Sequence, residues 1–232
     1  MEAYAIVIEG NEISEAGYAA LAKSSYDVKN EFKLKQFKAI TPDIVEKDMY
    51  DQDIQWTYPW EGSVVDFASG LTKSAYVTAN PKARMACAMS HFSLWQLCFE
   101  RRQPIIILEH DAIFTHKIDF IPDDTGFDIV GLNNPLGATR RARQYHDSIL
   151  KNKQAFQLTP YVDEDMKVPQ GLAGNSSYFI KPEGAEQMIS LVYKYGMWPN
   201  DALMCRQLVN GLGVTRKFYT KVQGLKSTTT RS

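Results

Sequence analysis

The hydrophobic and polar positions at the start of the chain follow two different periods. Residues 4–8 form a short apolar run rich in β-forming side chains, and residues 14–22 carry apolar side chains at helical spacing. Residues 35–40 then alternate between apolar and polar side chains, as a second strand does. A strand, a helix and a strand in this order predict a βαβ unit with a parallel pair of strands.

The middle of the chain predicts a long buried helix followed by a buried strand. After Pro81, large apolar side chains recur at helical spacing for several turns. Residues 105–108 are Ile-Ile-Ile-Leu, a run typical of a strand that is covered on both faces. This strand ends abruptly in the polar residues Glu109, His110 and Asp111, which makes its end the most informative point in the sequence.

The second half of the chain continues this alternation. Its pattern predicts a strand over residues 127–132, a glycine-rich turn leading into a strand over residues 171–180, a helix over residues 182–192, and a last helix from Trp198 to about Val209. Residues 43–81 show no sustained period and predict a loop with short helical pieces. Since no repeat or linker divides the chain, we expect a single α/β domain over residues 1–232.

The composition is that of a globular protein. Of the 232 residues, 44% are hydrophobic and 12% aromatic, enough for a packed core, which argues against disorder. With 26 Lys and Arg against 27 Asp and Glu, the net charge of -1 gives no overall attraction to nucleic acid. Basic segments at residues 140–143 and 216–226 leave a local contact with nucleic acid open.

The cysteine content and the N-terminus bear on where the protein works. The three cysteines are too few and too scattered for a disulfide framework or a zinc site, so we expect buried, reduced thiols. The N-terminus lacks the basic and apolar regions of a signal peptide, and no apolar run approaches the ~20 residues that cross a bilayer. These features predict a cytoplasmic protein without a transmembrane segment.

The acidic residues after the buried strand are the first candidates for chemistry. Side chains just past the carboxyl end of a buried parallel strand line the ligand crevice of an α/β sheet, and Glu109 and Asp111 meet this description. Two carboxylates at this spacing supply hard oxygen ligands for Mn²⁺ or Mg²⁺ and leave other positions for diphosphate oxygens. The alternative is structural, with Glu109 beginning a turn that Asp111 caps.

Two further side chains have both a structural and a chemical interpretation. His91 lies inside the long helix, where a buried histidine with satisfied hydrogen bonds is the simpler interpretation. Asp201 follows Pro199 and Asn200, where an acid of a helix N-cap region is expected. A carboxylate or a histidine is also able to remove a proton from a reacting hydroxyl.

Several motifs occur together in a specific order. Residues 84–95 are Arg-Met-Ala-Cys-Ala-Met-Ser-His-Phe-Ser-Leu-Trp, and residues 105–114 are Ile-Ile-Ile-Leu-Glu-His-Asp-Ala-Ile-Phe. This combination resembles the central signature of glycosyltransferase family 25, the lipooligosaccharide and procollagen sugar transferases, in which an S-H-x-x-x-W helix leads into an apolar strand and an L-E-D-D-A run. The resemblance extends to residues 4–8 with their following helix, residues 173–185, residues 199–201 and the serine- and threonine-rich residues 226–230.

The chain departs from the family pattern at two places. His110 stands where the family has an acidic residue, which leaves the motif with one fewer negative charge. Ala83 and Arg84 stand where a Gly-Glu pair is more frequent.

The resemblance implies a GT-A-like fold with a mainly parallel mixed sheet flanked by helices, a nucleotide-sugar donor, and a divalent ion, Mn²⁺ or Mg²⁺, held by Asp111 and Glu109. Asp201 is the first candidate for the base that takes the proton of the acceptor hydroxyl, and His91 is the second. The candidates for donor binding are Glu109, Arg84, Ser90, Asn175 and Ser176. The aromatic rings of Trp56, Tyr58 and Trp60 offer a flat face to a sugar or a base.

The acceptor and the activity itself have alternatives. The acceptor is either a surface glycan, such as a lipopolysaccharide core, or a hydroxymethylated DNA base, as modified by some phage sugar transferases. The alternative to an enzyme is a binding module for a nucleotide or a glycan with a degenerate metal site, which His110 and Arg84 favour. A purely structural protein would not explain why acidic residues follow a buried strand.

Overall fold

The computed structural model of the protein describes residues 1–76, 78–138 and 141–225. Its strands are β1 (Glu2–Val7), β2 (Leu34–Lys38), β3 (Ser63–Asp66), β4 (Leu71–Ser74), β5 (Ile105–Glu109), β6 (Ala112–Phe114), β7 (Ile129–Gly131), β8 (Phe156–Leu158), β9 (Ser177–Ile180), β10 (Leu212–Thr215) and β11 (Thr220–Val222). Its α-helices are α1 (Glu12–Asp27), α2 (Val45–Asp51), α3 (Pro81–Arg101), α4 (Ala142–Lys151), α5 (Pro182–Tyr195) and α6 (Asn200–Leu203).

Seven of the strands form one mixed sheet in the order β2-β1-β5-β9-β7-β10-β8. The pairings make β2, β1, β5, β7 and β10 run in one direction, whereas β9 and β8 run in the opposite direction. The predicted βαβ unit is present, because β1 and β2 pair in parallel and α1 connects them. The predicted α/β class with a mostly parallel mixed sheet and flanking helices is confirmed.

Strand β5 lies at the centre of the molecule and is covered on both faces, as its sequence predicts. Ile105 and Ile107 belong to the core cluster that contains the buried residues of α3 and α5. Ile106 and Leu108 belong to the core cluster on the opposite face, where Leu21 of α1 packs. Successive side chains of a strand point to opposite faces, so this run needs an apolar layer on each side.

Helix α3 forms because its sequence supplies both a start signal and an apolar surface. The side chain of Asn80 accepts a hydrogen bond from the backbone N–H of Ala83 at 3.1 Å, and Pro81 occupies the first turn. The helix ends at Arg102, which adopts a left-handed conformation with φ of 52°. Met89 and Trp95 are fully buried against the sheet and α5, so this helix is core, as predicted.

Three local predictions are wrong or incomplete. Residues 43–81 contain helix α2 and also the hairpin β3-β4, which the pattern misses because the strands have four residues each and Val64 and Val65 are exposed. Helix α4 was not predicted, since its polar sequence buries only Tyr145 and Ile149.

The predicted helix from Trp198 to about Val209 is also wrong. Helix α6 ends at Leu203, because the following backbone bonds to another segment instead of continuing the helix. The N–H of Arg206 donates to the carbonyl of Gln170 at 2.9 Å, and Cys205 forms an isolated bridge with Gly171. Within the described residues, no helix has the length and hydropathy that crossing a membrane requires.

The first prediction tests whether α3 is the core of the molecule. Trp95→Ala is expected to lower the free energy of unfolding by roughly 3–5 kcal/mol, because it removes a fully buried aromatic ring. Phe99→Ala, on the same helix but 44% exposed, is the matched control and should cost clearly less. Urea unfolding of both variants measures the difference. A Trp95→Ala change within about 0.5 kcal/mol would show that the helix is peripheral.

Candidate active site

A cavity of about 330 Å³ lies at one edge of the sheet, just past the carboxyl ends of β1, β2 and β5. The segment before β9 reaches the same edge, because β9 runs antiparallel to β5. All eight site residues singled out from the sequence line this cavity: Arg84, Ser90, His91, Glu109, Asp111, Asn175, Ser176 and Asp201. The fold therefore brings together residues that are up to 117 positions apart, from Arg84 to Asp201.

The two carboxylates after β5 stand close together in this wall. Glu109 is the last residue of β5, and Asp111 lies in the turn that leads to β6. Burial, reinforced by the charge of Glu109, raises the pKa of Asp111 to about 7. Burial is the largest single effect on Glu109 and acts to raise its pKa, but the hydrogen bond with His91 and the nearby basic side chains together outweigh it, so the pKa of Glu109 is lowered. Two neighbouring carboxylates thus repel each other here without full compensation.

The residues present fit a divalent cation. The Oδ1 atom of Asp111 is buried and has no hydrogen-bond partner in the described part of the chain. A buried acceptor of this kind is costly unless a ligand satisfies it. Glu109 and Asp111 offer the carboxylate oxygens that Mn²⁺ and Mg²⁺ prefer, and the repulsion between them is relieved when a cation lies near both.

A second group of possible metal ligands overlaps this pair. Single ligand atoms of Cys87, His91 and Glu109 all lie within 4.8 Å of one another. Thiol and imidazole are softer ligands than carboxylate and suit zinc better than Mn²⁺. However, burial raises the pKa of the Cys87 thiol well above its ordinary value, which keeps it protonated, and both ring nitrogens of His91 have hydrogen-bond partners. Glu109 and Asp111 are therefore the better-suited pair.

His110, the departure from the acidic motif, also lines the cavity. Burial lowers the pKa of its imidazole below the ordinary value, so that the ring is uncharged at neutral pH. Compared with the acidic residue of the family pattern, a neutral His110 leaves the motif with one fewer negative charge. It adds no positive charge that would repel a cation.

His91 is fully buried and belongs to a chain of polar side chains. Its Nδ1 lies 2.8 Å from the hydroxyl of Tyr178, and its Nε2 lies 3.2 Å from Oε1 of Glu109. The same Tyr178 hydroxyl accepts a hydrogen bond from Nε1 of Trp95 at 2.8 Å. The structure therefore gives His91 the satisfied hydrogen bonds of the simpler interpretation and also a direct contact with the acidic pair.

Asp201 occupies the second position of α6 and faces Arg84 and Tyr76. Burial raises the pKa of Asp201, and the nearby Arg84 guanidinium opposes this effect. The hydroxyl of Tyr76 donates a hydrogen bond to the Asp201 carboxylate, and the Arg84 guanidinium lies 5.1 Å from the centre of the Tyr76 ring. Sequence reasoning missed Tyr76, because it lies in the segment without a period.

Polar groups of the turn before β9 complete the wall. Oδ1 of Asn175 and Oγ of Ser176 are buried and have no hydrogen-bond partner among the residues described. Ser90 differs, because its hydroxyl accepts from the N–H of Ile40 at 2.9 Å and donates to the carbonyl of Ala86 at 2.8 Å. Ser90 thus fixes α3 against the end of β2, while Asn175 and Ser176 have hydrogen-bonding capacity left for a ligand.

The aromatic rings proposed as a flat binding face are not part of the cavity wall. Trp56 and Trp60 stack on each other with centroids 4.8 Å apart, and Tyr58 is buried against Tyr76 and Trp198. These contacts pack the rings against their neighbours, and their use as a flat face for a sugar or a base stays a prediction.

The basic segments are only partly described. Arg140 and residues 226–230, which include the serine- and threonine-rich end, lie outside the described residues. Arg141 pairs with Asp163 at 2.9 Å, and Lys217 pairs with Asp119 at 2.5 Å. These two cations are therefore compensated by acids of the protein itself.

Comparison with known proteins identifies the class that this fold and site define. A family model described as glycosyltransferase family 25 (LPS biosynthesis protein) matches residues 28–204. The chain therefore belongs to glycosyltransferase family 25. No curated protein matches the chain. Among solved structures, it is similar to mouse xyloside xylosyltransferase 1 in its apo form, with 12% identity over 88% of this chain and 80% of that chain, and a TM-score of 0.41.

The second prediction concerns Gly171, which holds α6 in place. A Cβ atom at this position would lie 2.5 Å from the backbone oxygen of Asp201 and 2.7 Å from that of Met204. Gly171→Ala is therefore expected to displace Asp201, lowering sugar transfer and costing about 1–3 kcal/mol of stability.

Gly10→Ala is the comparison variant, because a Cβ atom at this position meets open space. The only expected cost is the backbone strain of an alanine at the left-handed φ of 75°. This strain costs about 1–2 kcal/mol and should leave sugar transfer unchanged. Unfolding by urea and an initial-rate assay on both variants separate the two effects. Full activity and stability of Gly171→Ala would contradict the close approach.

Proposed function

We propose that this member of family 25 is a metal-assisted glycosyltransferase that moves a sugar from a nucleotide-sugar donor to a hydroxyl of a glycan. The proposal rests on three kinds of group that line one cavity. They are the mutually repelling carboxylates of Glu109 and Asp111, buried polar atoms without a hydrogen-bond partner among the described residues, and the separate carboxylate of Asp201. An inverting transfer needs all three: a place for the diphosphate, contacts for the sugar nucleotide, and a base for the acceptor hydroxyl.

Asp111 and Glu109 would hold the divalent ion. When bound, Mn²⁺ or Mg²⁺ supplies Lewis-acid stabilisation of the negative charge that develops on the leaving diphosphate. The chain itself also contributes to diphosphate binding through Arg84. The guanidinium of Arg84 lies close to both Glu109 and Asp201, and its charge acts to lower their pKa values against the effect of burial. An arginine in this position is suited to bind a phosphate oxygen.

Asn175 and Ser176 are assigned to the donor. Their buried, unpaired oxygen atoms are suited to accept or exchange hydrogen bonds with ribose or sugar hydroxyls. A ligand that hydrogen-bonds these atoms satisfies buried acceptors that have no partner among the described residues, which favours its binding.

Asp201 is assigned as the base that removes the proton of the acceptor hydroxyl. Burial raises its pKa, which makes the carboxylate a stronger base than an exposed aspartate. Tyr76 and Arg84 lie beside this carboxylate, and α6 places it in the cavity wall.

A glycan hydroxyl is the preferred acceptor. The family model that matches the chain is described by lipopolysaccharide biosynthesis, a glycan pathway. A hydroxymethylated DNA base would require basic side chains free for phosphates, and two of the cations in the basic segments, Arg141 and Lys217, are paired with acids. The binding module without catalysis is the second candidate, and the neutral His110 is the feature that favours it.

The direct experiment is a screen of acceptors with several nucleotide sugars in the presence of Mn²⁺. Its arms are glycan fragments of a lipopolysaccharide core, hydroxymethylated DNA, and no acceptor. Transfer to a glycan supports the proposal, and transfer to the DNA alone corrects the acceptor. Saturable donor binding without any turnover, in every arm, would indicate the binding module.

The third prediction tests the metal assignment. Asp111→Asn is expected to abolish transfer at all Mn²⁺ concentrations, because it removes an anionic ligand with little change in size, and Glu109→Gln should be less severe. The unfolding temperature of Asp111→Asn should not fall, since the substitution removes a charge that Glu109 repels. Asp123→Asn, an exposed acid of the 3₁₀ helix Pro122–Thr125, is the control. Full activity of Asp111→Asn would overturn the metal role.

The fourth prediction tests the base. Asp201→Asn is expected to slow the chemical step by a factor of at least ~10², with little change in donor affinity. Single-turnover rates and donor binding, measured on the same variant, separate this role from others. Loss of donor binding with an unchanged single-turnover rate would place Asp201 in the donor site instead.

A further inference from the structure

A buried chain of hydrogen bonds connects the hydrophobic core to the acidic pair. It runs from Nε1 of Trp95 to the hydroxyl of Tyr178 at 2.8 Å, from this hydroxyl to Nδ1 of His91 at 2.8 Å, and from Nε2 of His91 to Oε1 of Glu109 at 3.2 Å. Trp95, Tyr178 and His91 are each fully buried. The imidazole and the Tyr178 ring also stack, with centroids 5.7 Å apart and an interplanar angle of 17°.

The positions of the protons follow from what each group is able to donate. The indole N–H of Trp95 has no acceptor function, so it donates and the oxygen of Tyr178 accepts. The proton of the Tyr178 hydroxyl then has Nδ1 of His91 as its acceptor among the described residues. Nδ1 therefore carries no proton, and the ring proton lies on Nε2.

The opposite tautomer leaves two contacts unsatisfied. A proton on Nδ1 would point at an oxygen that already accepts from Trp95, and the Tyr178 proton would lose its acceptor. Nε2 without a proton would face a carboxylate oxygen of Glu109 at 3.2 Å, a contact between two acceptors. Buried donors and acceptors without partners are costly, so one arrangement satisfies every group.

We propose that Trp95, Tyr178 and His91 form a relay of positioning residues that fixes Glu109 for ligand binding. Tyr178 selects the Nε2–H tautomer of His91, and this N–H holds Oε1 of Glu109. The second oxygen, Oε2, is left for the ligand, in agreement with a Glu109 side chain that lines the cavity and is 30% exposed. The inference rests on the proposed function, in which Glu109 contacts the metal and the donor.

The relay gives His91 a role other than that of a base. Both ring nitrogens are used inside the protein, and the ring is fully buried, so an acceptor hydroxyl has no free nitrogen to reach. Outer partners that orient a ligating carboxylate typically change metal affinity 10- to 100-fold when removed. The relay is thus expected to affect binding through Glu109 alone.

The fifth prediction uses Tyr178→Phe, which removes one hydroxyl and keeps the stacked ring. NMR spectra of protein labelled with ¹⁵N histidine report the tautomer directly, and loss of a signal in His91→Gln assigns it. We expect the wild-type ring to have its proton on Nε2 and none on Nδ1, and the Nε2 proton to exchange faster with water in Tyr178→Phe. A proton on Nδ1, or an exchange rate that Tyr178→Phe leaves unchanged, would overturn the relay.

A double-mutant cycle then tests whether the relay acts through Glu109. Mn²⁺ affinity is measured by titration followed by EPR, without donor, in wild type, Tyr178→Phe, Glu109→Gln and the double variant. Tyr178→Phe should weaken Mn²⁺ binding at least about tenfold in wild type and have no further effect in Glu109→Gln. Equal losses in both backgrounds would show a general structural effect and overturn the positioning role.

Tyr145→Phe is the matched control, because Tyr145 is also a buried tyrosine but lies on α4, outside the cavity wall. It should change neither the His91 signal nor the Mn²⁺ affinity. If wild-type protein binds no Mn²⁺, the metal part of the proposed function fails, while the NMR experiment still decides the relay.

Discussion

The carboxylates of Glu109 and Asp111 lie two residues apart at the end of β5, a strand that is buried on both faces. The rest of the site depends on the electrostatic repulsion between them. Burial and the charge of Glu109 together raise the pKa of Asp111 to about 7. Two neighbouring groups reduce the cost: His91 hydrogen-bonds Glu109, and the Arg84 guanidinium lies nearby. The uncompensated negative charge that remains favours a cation at this point, and under the proposed function a diphosphate would bind through that cation.

Helix α3 makes this arrangement rigid because it serves the core and the site at once. Arg84, Cys87 and His91 are three and four residues apart and so share the face that lines the cavity, while Trp95, one turn further on, is fully buried. The indole N–H of Trp95 is nonetheless part of the hydrogen-bonded chain that reaches Glu109. Packing in the core and the geometry of the acidic pair are therefore coupled, as a preorganised site requires.

The sequence predicts those parts of the molecule in which local pattern and burial agree. The helical period of α3 and the apolar run of β5 are sufficient to predict the centre of the fold. The acidic residues after β5 are sufficient to predict where the acidic pair of the cavity lies. The hairpin β3-β4 and the end of α6 were not predictable, because exposed valines and a bridge between Gly171 and Cys205 depend on contacts distant in sequence. Tyr76 was not predicted because its contacts are also distant in sequence. Tyr178 lies within the motif of residues 173–185, but the motif alone assigns no role to its aromatic residue.

The two sides of the cavity differ in construction, and this difference bears on acceptor choice. Glu109 and Arg84 lie on β5 and α3, which belong to the core. Asp201 lies on the four-residue helix α6, which depends on the close approach of Gly171, and Leu172 extends this wall from a loop. Loops and short segments tolerate changes that a core does not. If the proposed donor assignment holds, the donor contacts lie on the rigid side of the cavity, and we expect acceptor choice to depend on the segments around Asp201.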